Sequence, residues 1–233
     1  MSSPVIEVTG VKKDYRGLRP LRLQKLTVQA GERVALSGLD AAAAEVFVNL
    51  LTGALLPDEG DVKVFGRATA AIADQAEWFA SLDRFGIVTP RAVLLDSCTL
   101  RQNLALPFTI DFDDLSDDIR ARTEELAREV GLPNDLLDAP LEQARPEWRV
   151  HLHLAKALAA NPELLLLEHP TLGVPAAAIG AFVGALDRVA SGRRCTLLII
   201  TEDADVARLA SVHQKVQPGT GALVNARGWR RWV

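Results

Sequence analysis

Two short, uninterrupted apolar runs constrain this chain more than any other feature of its 233 residues. They are Leu164–Leu167 and the apolar centre of Cys195–Thr201. Runs of this length, bounded by turn residues, are typical of strands that are covered on both faces in a parallel sheet. Helical patterns alternate with these strands, for example from Ala41 to about Leu51 and from Ala176 to Ala190. The sequence therefore predicts an α/β fold with a parallel-sheet core.

The N-terminal part of the chain predicts several further strands. Residues 4–9 and Leu21–Val28 alternate apolar and polar side chains, which is typical of edge or half-buried strands. Arg33–Ser37 predicts a short buried strand, and the turn residues of Pro57–Gly60 precede a strand over Asp61–Phe65.

The middle of the chain has mainly helical patterns, over Thr69–Phe79, Ser116–Val130 and Pro146–Ala160. Gly131 and Pro133 are expected to end the second of these helices. We therefore expect a single domain over residues 1–233, with a helical subdomain inserted at about residues 90–160.

Composition argues against several partners. The formal net charge of −4 is unlike the clustered basic surface of nucleic-acid-binding domains. No apolar run approaches the roughly 20 residues that a membrane helix needs, so we expect no direct membrane insertion. Cys98 and Cys195 are far apart and fit a reducing cytoplasm. The basic and aromatic residues of 227–232 fit either a solvated tail packed on the body or a membrane-surface contact.

Several fragments follow one another in a specific order and spacing. They are Gly31–Gly38, Asn49–Gly53, Leu56–Gly60, Ala155–Pro162 with the leucine strand, and Pro170–Thr171 followed by Thr201. Together they resemble the ATP-binding subunit of ABC transporters over nearly the whole chain, as a degenerate member of that family.

This resemblance implies a P-loop NTPase-like parallel sheet with an N-terminal antiparallel β region and an inserted helical subdomain. It also implies ATP and Mg²⁺ as cofactors, with binding that we expect to be weak or absent here. The implied partners are a transmembrane permease, docked through the helical subdomain, and a second ATP-binding subunit, which is another copy of this chain or a different one. The implied location is the cytoplasmic face of a membrane.

The phosphate loop of the family has the pattern G-x-x-x-x-G-K-[ST], in which backbone amides and a lysine hold phosphates and the hydroxyl holds Mg²⁺. Here Gly38 is the first glycine, but Ala43 replaces the second. Ala44 takes the place of the lysine and Glu45 that of the hydroxyl. These changes make the place meant for a polyanion more negative.

Asp40, followed by four alanines, is also a favourable helix start. We expect its carboxylate to accept hydrogen bonds from first-turn amides that the family offers to phosphate, so that the protein fills its own anion site. The alternative is an open but weakened site.

The other motifs of the family are changed in the same way. Pro90 takes the place of the glutamine that senses the metal, and Ala144–Trp148 takes the place of the signature segment. Glu168 replaces the Walker B aspartate and is a weak metal candidate. His169 replaces the catalytic glutamate and Glu202 the switch histidine, so we expect no catalytic residue.

Tyr15, His151 and His153 each have a possible ligand-binding role and a purely structural one. Tyr15 lies where the family stacks an aromatic ring on adenine, but it could equally serve packing. His151 and His153 are two residues apart on a predicted helix and point in different directions, so we expect partly exposed histidines and no metal site.

The sequence therefore predicts a non-hydrolysing structural or regulatory subunit of a membrane transport complex. Two alternatives stay open. One is an ATPase with weak binding or hydrolysis through unconventional residues, and the other is a freestanding regulatory module. The sequence does not identify the transported substrate, the direction of transport or the permease.

Overall fold

The computed structural model describes residues 4–112 and 114–226. The chain forms two compact units, the first made of Met1–Phe79 and Thr196–Val233 and the second of Ala80–Cys195. The predicted helical subdomain at about 90–160 falls within the second unit. The basic and aromatic tail discussed above lies outside the described residues.

The strands are β1 (Ile6–Lys13), β2 (Leu21–Val28), β3 (Arg33–Ser37), β4 (Glu59–Val64), β5 (Arg67–Ala68), β6 (Phe85–Val88), β7 (Leu164–Glu168), β8 (Thr196–Ile200), β9 (Val212–Val216) and β10 (Leu223–Asn225). The α-helices are α1 (Ala41–Leu51), α2 (Gln75–Leu82), α3 (Leu100–Ala105), α4 (Asp117–Val130), α5 (Pro146–Leu158), α6 (Ala176–Arg193) and α7 (Ala204–Ala207). The two apolar runs of the sequence form β7 and β8, and every residue of both strands is buried.

The first unit contains an antiparallel sheet in the order β2-β1-β4-β5. Strand β1 pairs with β2 on one side and with β4 on the other, so it is half-buried but not an edge strand. In β2 the residues that alternate toward the core, such as Leu21 and Leu23, are buried, while Arg22 and Gln24 are exposed. The alternating pattern therefore gives the strand its buried and exposed faces.

Parallel pairing in the first unit brings together three strands that are distant in sequence. Strand β3 pairs in parallel with β8 on one side and β9 on the other, and β10 adds to β9 in the antiparallel direction. Val34, Ala35 and Leu36 are at most 1% exposed, as expected for a strand inside a parallel sheet. The carboxyl end of β3 leads directly into the loop before α1.

The second unit is built around the parallel pair of β6 and β7, in which Val88 lies opposite Leu167. Helix α5 packs against β6 and against α4. Gly86 allows this close approach, because a β-carbon there would lie 2.4 Å from the carbonyl oxygen of Ala157. Helix α4 begins at its N-cap Ser116 and ends at Gly131, which has a φ of 78°, as the sequence predicts.

Some elements differ from the sequence-based expectation. Helix α3 and strands β5, β6, β9 and β10 were not predicted, and Thr69–Phe79 contains a short 3₁₀ turn, Thr69–Ala71, before α2 begins. These elements are short, and β9 has the polar residues His213, Gln214 and Lys215 in place of an apolar run, with only Lys215 exposed. Among the described residues, we find no helix with both the length and the apolarity needed to cross a membrane.

Candidate functional site

The loop between β3 and α1 begins at Gly38, whose backbone is tightly constrained. Gly38 has a φ of 86°, and a β-carbon at this position would lie 2.4 Å from the carbonyl oxygen of Val216. Any side chain would therefore meet both backbone strain and a steric clash with the end of β9. Glycine is needed here to fit the loop beside the sheet.

The amide of Gly38 has an acceptor within the protein. Its N–H donates to Oε1 of Glu202 at 2.5 Å. Glu202 reaches this place because Thr201, at the end of β8, donates its own N–H to the carbonyl oxygen of Leu36 in β3, at 2.9 Å. Glu202, at the position where the resemblance implies the switch histidine, therefore binds the first amide of this loop.

The first turn of α1 is capped by Asp40, as the sequence predicts. Oδ1 of Asp40 accepts the N–H of Ala43 at 2.8 Å, and its carbonyl oxygen accepts the N–H of Ala44 at 2.8 Å. The side chain of Ala44, at the lysine position, is completely buried, and Glu45 is half-buried. No cation therefore stands at either of the two positions that bind phosphate and metal in the family.

A cavity of about 380 Å³ in the first unit brings together four residues identified from the sequence, Tyr15, Gly38, Asp40 and Ala43. Burial raises the pKa of Tyr15, and the negative charge of Asp40 raises it further. The tyrosine ring also packs on its own loop, since a β-carbon at Gly17 would lie 2.6 Å from the ring. Tyr15 therefore both lines the cavity and serves packing.

Sequence reasoning did not identify the two cations of this cavity, Arg19 and Arg22. Both are exposed, and Arg22 lies on the outward face of β2. The alternating pattern of β2 places Arg22 on the surface, but it gives no indication that a loop of the same unit lies beside it.

Glu202 also lines a larger cavity of the first unit, of about 830 Å³, together with Ser37, His213 and Lys215. Nε2 of His213 lies 3.1 Å from Oγ of Ser37. These polar side chains come from β3 and β9, on the side of the sheet where α7 follows β8. The cavity is therefore a groove of mixed polar and apolar lining that runs along β9.

Glu168, the weak metal candidate, is the last residue of β7 and is only 1% exposed. Both of its carboxylate oxygens accept hydrogen bonds from the guanidinium of Arg91, with Nη2 at 2.7 Å from Oε2. Over residues 4–112 and 114–226 no group of three or more histidine, cysteine, aspartate or glutamate side chains could hold a metal ion. These residues do not fit a Mg²⁺ site, because arginine offers the carboxylate donors and offers a cation no ligand.

In Ala144–Trp148, the segment expected to take the place of the signature motif, two opposite charges lie close together. Nη1 of Arg145 lies 3.6 Å from Oε1 of Glu147. Arg145 is the residue of this segment that could meet a phosphate, and it already lies beside a carboxylate of its own segment.

The two histidines of α5 do not act together. His151 is buried, and its Nδ1–H donates to the carbonyl oxygen of Val130 at 2.6 Å, so the expectation of an exposed side chain is wrong for this residue. It fills the contact between α4 and α5 as a packed aromatic ring. His153 is half-buried, its Nδ1 has no partner within the described residues, and burial lowers its pKa to about 4.

Known proteins resemble this chain over most of its length. The family model described as "ABC transporter" matches residues 21–172. The lipoprotein-releasing system ATP-binding protein LolD of Chromohalobacter salexigens is 28% identical over 207 residues, which are 87% of this chain and 86% of that protein. The macrolide export ATP-binding/permease protein MacB 1 of Aeromonas hydrophila is 28% identical and covers 97% of this chain, which spans only 35% of that protein.

The fold has a counterpart among solved structures. A dimeric, post-hydrolysis structure of the ATP-binding cassette MJ0796 bound to ADP and Pi superposes with a TM-score of 0.77 at 21% identity. It covers 96% of this chain and 100% of that one. The likeness confirms the predicted α/β fold with a parallel-sheet core and an antiparallel β region.

Proposed function

The chain belongs to the ABC transporter family, and from this premise we propose that it is a non-hydrolysing structural or regulatory subunit of a membrane transport complex. In this proposal the whole chain acts as one nucleotide-binding-type domain, and the helical subdomain at about 90–160 faces the permease. The proposal rests on two features. The fold of the family is retained, and the loop before α1 has no lysine and no hydroxyl at the positions where the resemblance implies them.

One observation carries the proposal: two amides of the phosphate-type loop are bound to carboxylates of the protein itself. The N–H of Gly38 donates to Glu202, and that of Ala43 donates to Asp40. In a loop that binds phosphate, such amides point at the anion. A phosphate would have to displace both carboxylates and would meet their charge repulsion.

Nothing in the loop compensates for these carboxylates. Ala44 has no charge to offer a γ-phosphate, and the nearby Glu45 adds a negative one. Each lost charge-assisted contact is worth roughly 1.5–3 kcal/mol. His169, in the place of the catalytic glutamate, would then have no positioned substrate, so hydrolysis is not expected.

The remaining role is assembly. The region 94–108, which contains α3, corresponds to the surface that the family turns toward its membrane subunit, and we propose that it docks a permease at the cytoplasmic face. The cassette MJ0796 is dimeric, and we propose pairing here with a second copy or another ATP-binding subunit. With both the phosphate loop and the signature segment changed, a scaffold that does not depend on ATP is the simpler role.

The decisive experiment is calorimetric titration of the purified chain with ATP and Mg²⁺. We expect no binding by the wild type. A triple variant, Ala44→Lys/Glu45→Ser/Glu202→Gln, removes two of the three nearby negative charges, leaving Asp40 as the helix cap, and restores the cation, so it should gain binding if the surrounding cradle is intact. A thermal melt of the variant serves as the folding control. Wild-type binding in the micromolar range would overturn the proposal.

A second candidate, weak nucleotide binding, is favoured by the 380 Å³ cavity that Tyr15, Arg19 and Arg22 line. In that case Tyr15→Ala would abolish a weak wild-type signal in the same titration.

A freestanding regulatory module is the third possibility. Copurification of the chain with a permease would argue against it.

A further inference from the structure

The carboxyl ends of β6 and β7 bring an arginine and a glutamate together. The two strands are parallel and in register, so the residues that follow Val88 lie beside the end of β7 at Glu168. A tight turn follows β6, in which the N–H of Ala92 donates to the carbonyl oxygen of Thr89 at 3.1 Å. Arg91 lies inside this turn, and its side chain reaches Glu168.

The contact between these two side chains is bidentate. The two Nη atoms of Arg91 each donate to a different carboxylate oxygen of Glu168, with Nη2 at 2.7 Å from Oε2. Glu168 is 1% exposed whereas the Arg91 side chain is 39% exposed. A carboxylate buried to this degree needs a positive partner, because burial of an unpaired charge is strongly unfavourable.

This is the place at which the family resemblance implies a divalent cation. A divalent metal such as Mg²⁺ or Mn²⁺ would need the lone pairs of the carboxylate and several further oxygen ligands. Both oxygens of Glu168 already accept from a guanidinium, which has five donors and no acceptor. Its fixed positive charge also repels a second cation at this distance.

We propose that the guanidinium of Arg91 takes the place of the divalent cation at Glu168, so that this carboxylate is neutralised without metal. It follows that removal of Arg91 leaves a buried carboxylate at which a divalent ion can bind. This inference is independent of the proposed loss of ATP binding, because it concerns two side chains of the second unit and no nucleotide.

The test uses Mn²⁺ alone, without nucleotide, and the full chain. Bound Mn²⁺ is measured by the loss of the free-ion electron paramagnetic resonance signal, and the melting temperature is followed in parallel. The samples are the wild type, Glu168→Gln, Arg91→Ala, Arg91→Gln and the double variant Arg91→Ala/Glu168→Gln. Arg84→Ala is the matched control, because it removes an arginine that binds Glu163 in the same bidentate way at the opposite ends of β6 and β7.

We expect no Glu168-dependent Mn²⁺ binding in the wild type or in Arg84→Ala. Arg91→Ala and Arg91→Gln should each gain one site, lost again in the double variant, and millimolar Mn²⁺ should raise their Tm by about 2–4 °C. Wild-type binding that Glu168→Gln removes would overturn the inference, as would the absence of a gained site in both folded Arg91 variants. If both variants are unfolded in metal-free buffer, folding on addition of Mn²⁺ supports it and continued unfolding overturns it.

Discussion

The two ends of the β6–β7 pair carry the same interaction in different surroundings. At the amino ends, Arg84 binds Glu163 through Nε and Nη2, at 2.6 and 2.8 Å. At the carboxyl ends, Arg91 binds Glu168 through both Nη atoms. Glu163 is 57% exposed and Glu168 only 1%. Both contacts are bidentate, although through different guanidinium nitrogens, and the pairs differ most in the access of water to the carboxylate.

This difference decides what each pair contributes. When both charges are exposed, the energy of the contact is largely offset by the hydration that the two side chains lose. Such a pair typically contributes about 0–1 kcal/mol to stability. A buried carboxylate cannot return to water when its partner is removed, so the loss of that partner costs far more than the pair contributes as a whole. The amino ends therefore carry an ordinary surface pair, whereas the carboxyl ends, where the family places its chemistry, carry one on which the local structure depends.

The largest effect is expected for Arg91→Ala. It should lower the free energy of unfolding by about 3 kcal/mol, because it leaves Glu168 buried without a counter-charge. Urea denaturation at pH 7 in metal-free buffer measures this. Arg91→Ala/Glu168→Leu should recover part of the loss, since no charge then stays buried. A loss no larger than that of Arg84→Ala would show that the comparison of the two ends is wrong.

An intermediate effect on stability is expected for a pair in which the arginine is buried and the carboxylate is exposed. Arg101 is 8% exposed and binds the 69% exposed Asp138, at 2.7 Å from Nε to Oδ1. Asp138→Asn should cost about 1–2 kcal/mol, because the buried guanidinium loses a charged acceptor but keeps Glu124 at 3.0 Å. Chemical denaturation beside Glu124→Gln measures the two contributions. A cost above that of Arg91→Ala would mean that a buried cation matters more than a buried carboxylate.

The smallest effect is expected for Arg84→Ala, at most about 1 kcal/mol at pH 7. The hydrogen bond from Arg84 lowers the pKa of Glu163. The contribution of this pair is therefore complete above the ordinary glutamate pKa of about 4.3 and is lost as the pH falls through the lowered value. Unfolding measured from pH 6 to pH 3 should thus show a difference between wild type and Arg84→Ala that shrinks toward acid. A difference that grows toward acid would contradict the assignment.

The sequence predicts best the elements that carry a strong local pattern. Strands β2 and β3 and helix α1 have the predicted bounds, because alternation, a short apolar run and an alanine-rich start each act within a few residues. The cap of α1 at Asp40 is predictable for the same reason, since donor and acceptor are three residues apart. Strand β9 was missed because it becomes a strand through pairing with the distant β3.

The parts of the site that the sequence did not predict are long-range pairs. Glu202 is 164 residues from Gly38, and Arg91 is 77 residues from Glu168. The sequence identifies two of these positions, Glu168 and Glu202, as altered, but a charge at an altered position does not indicate what it binds instead. The partner of that charge depends on which strand ends meet, and this depends on sheet register. The one available signal for Arg91 was its place directly after Pro90, near a position that senses metal in the family.

Gly38 has a consequence for how remnants of motifs are interpreted. It is the only glycine left of the phosphate-loop pattern, and both its φ of 86° and the backbone of β9 require it, since a β-carbon would lie 2.4 Å from the carbonyl oxygen of Val216. The backbone of the loop and the packing of β9 are therefore sufficient to require this glycine without any phosphate. A motif search that counts this glycine as part of a nucleotide-binding loop would attribute it to a ligand. The backbone of the protein itself is enough to require it. Under the proposed function, this loop inherits the position of a motif residue without the chemistry of the motif.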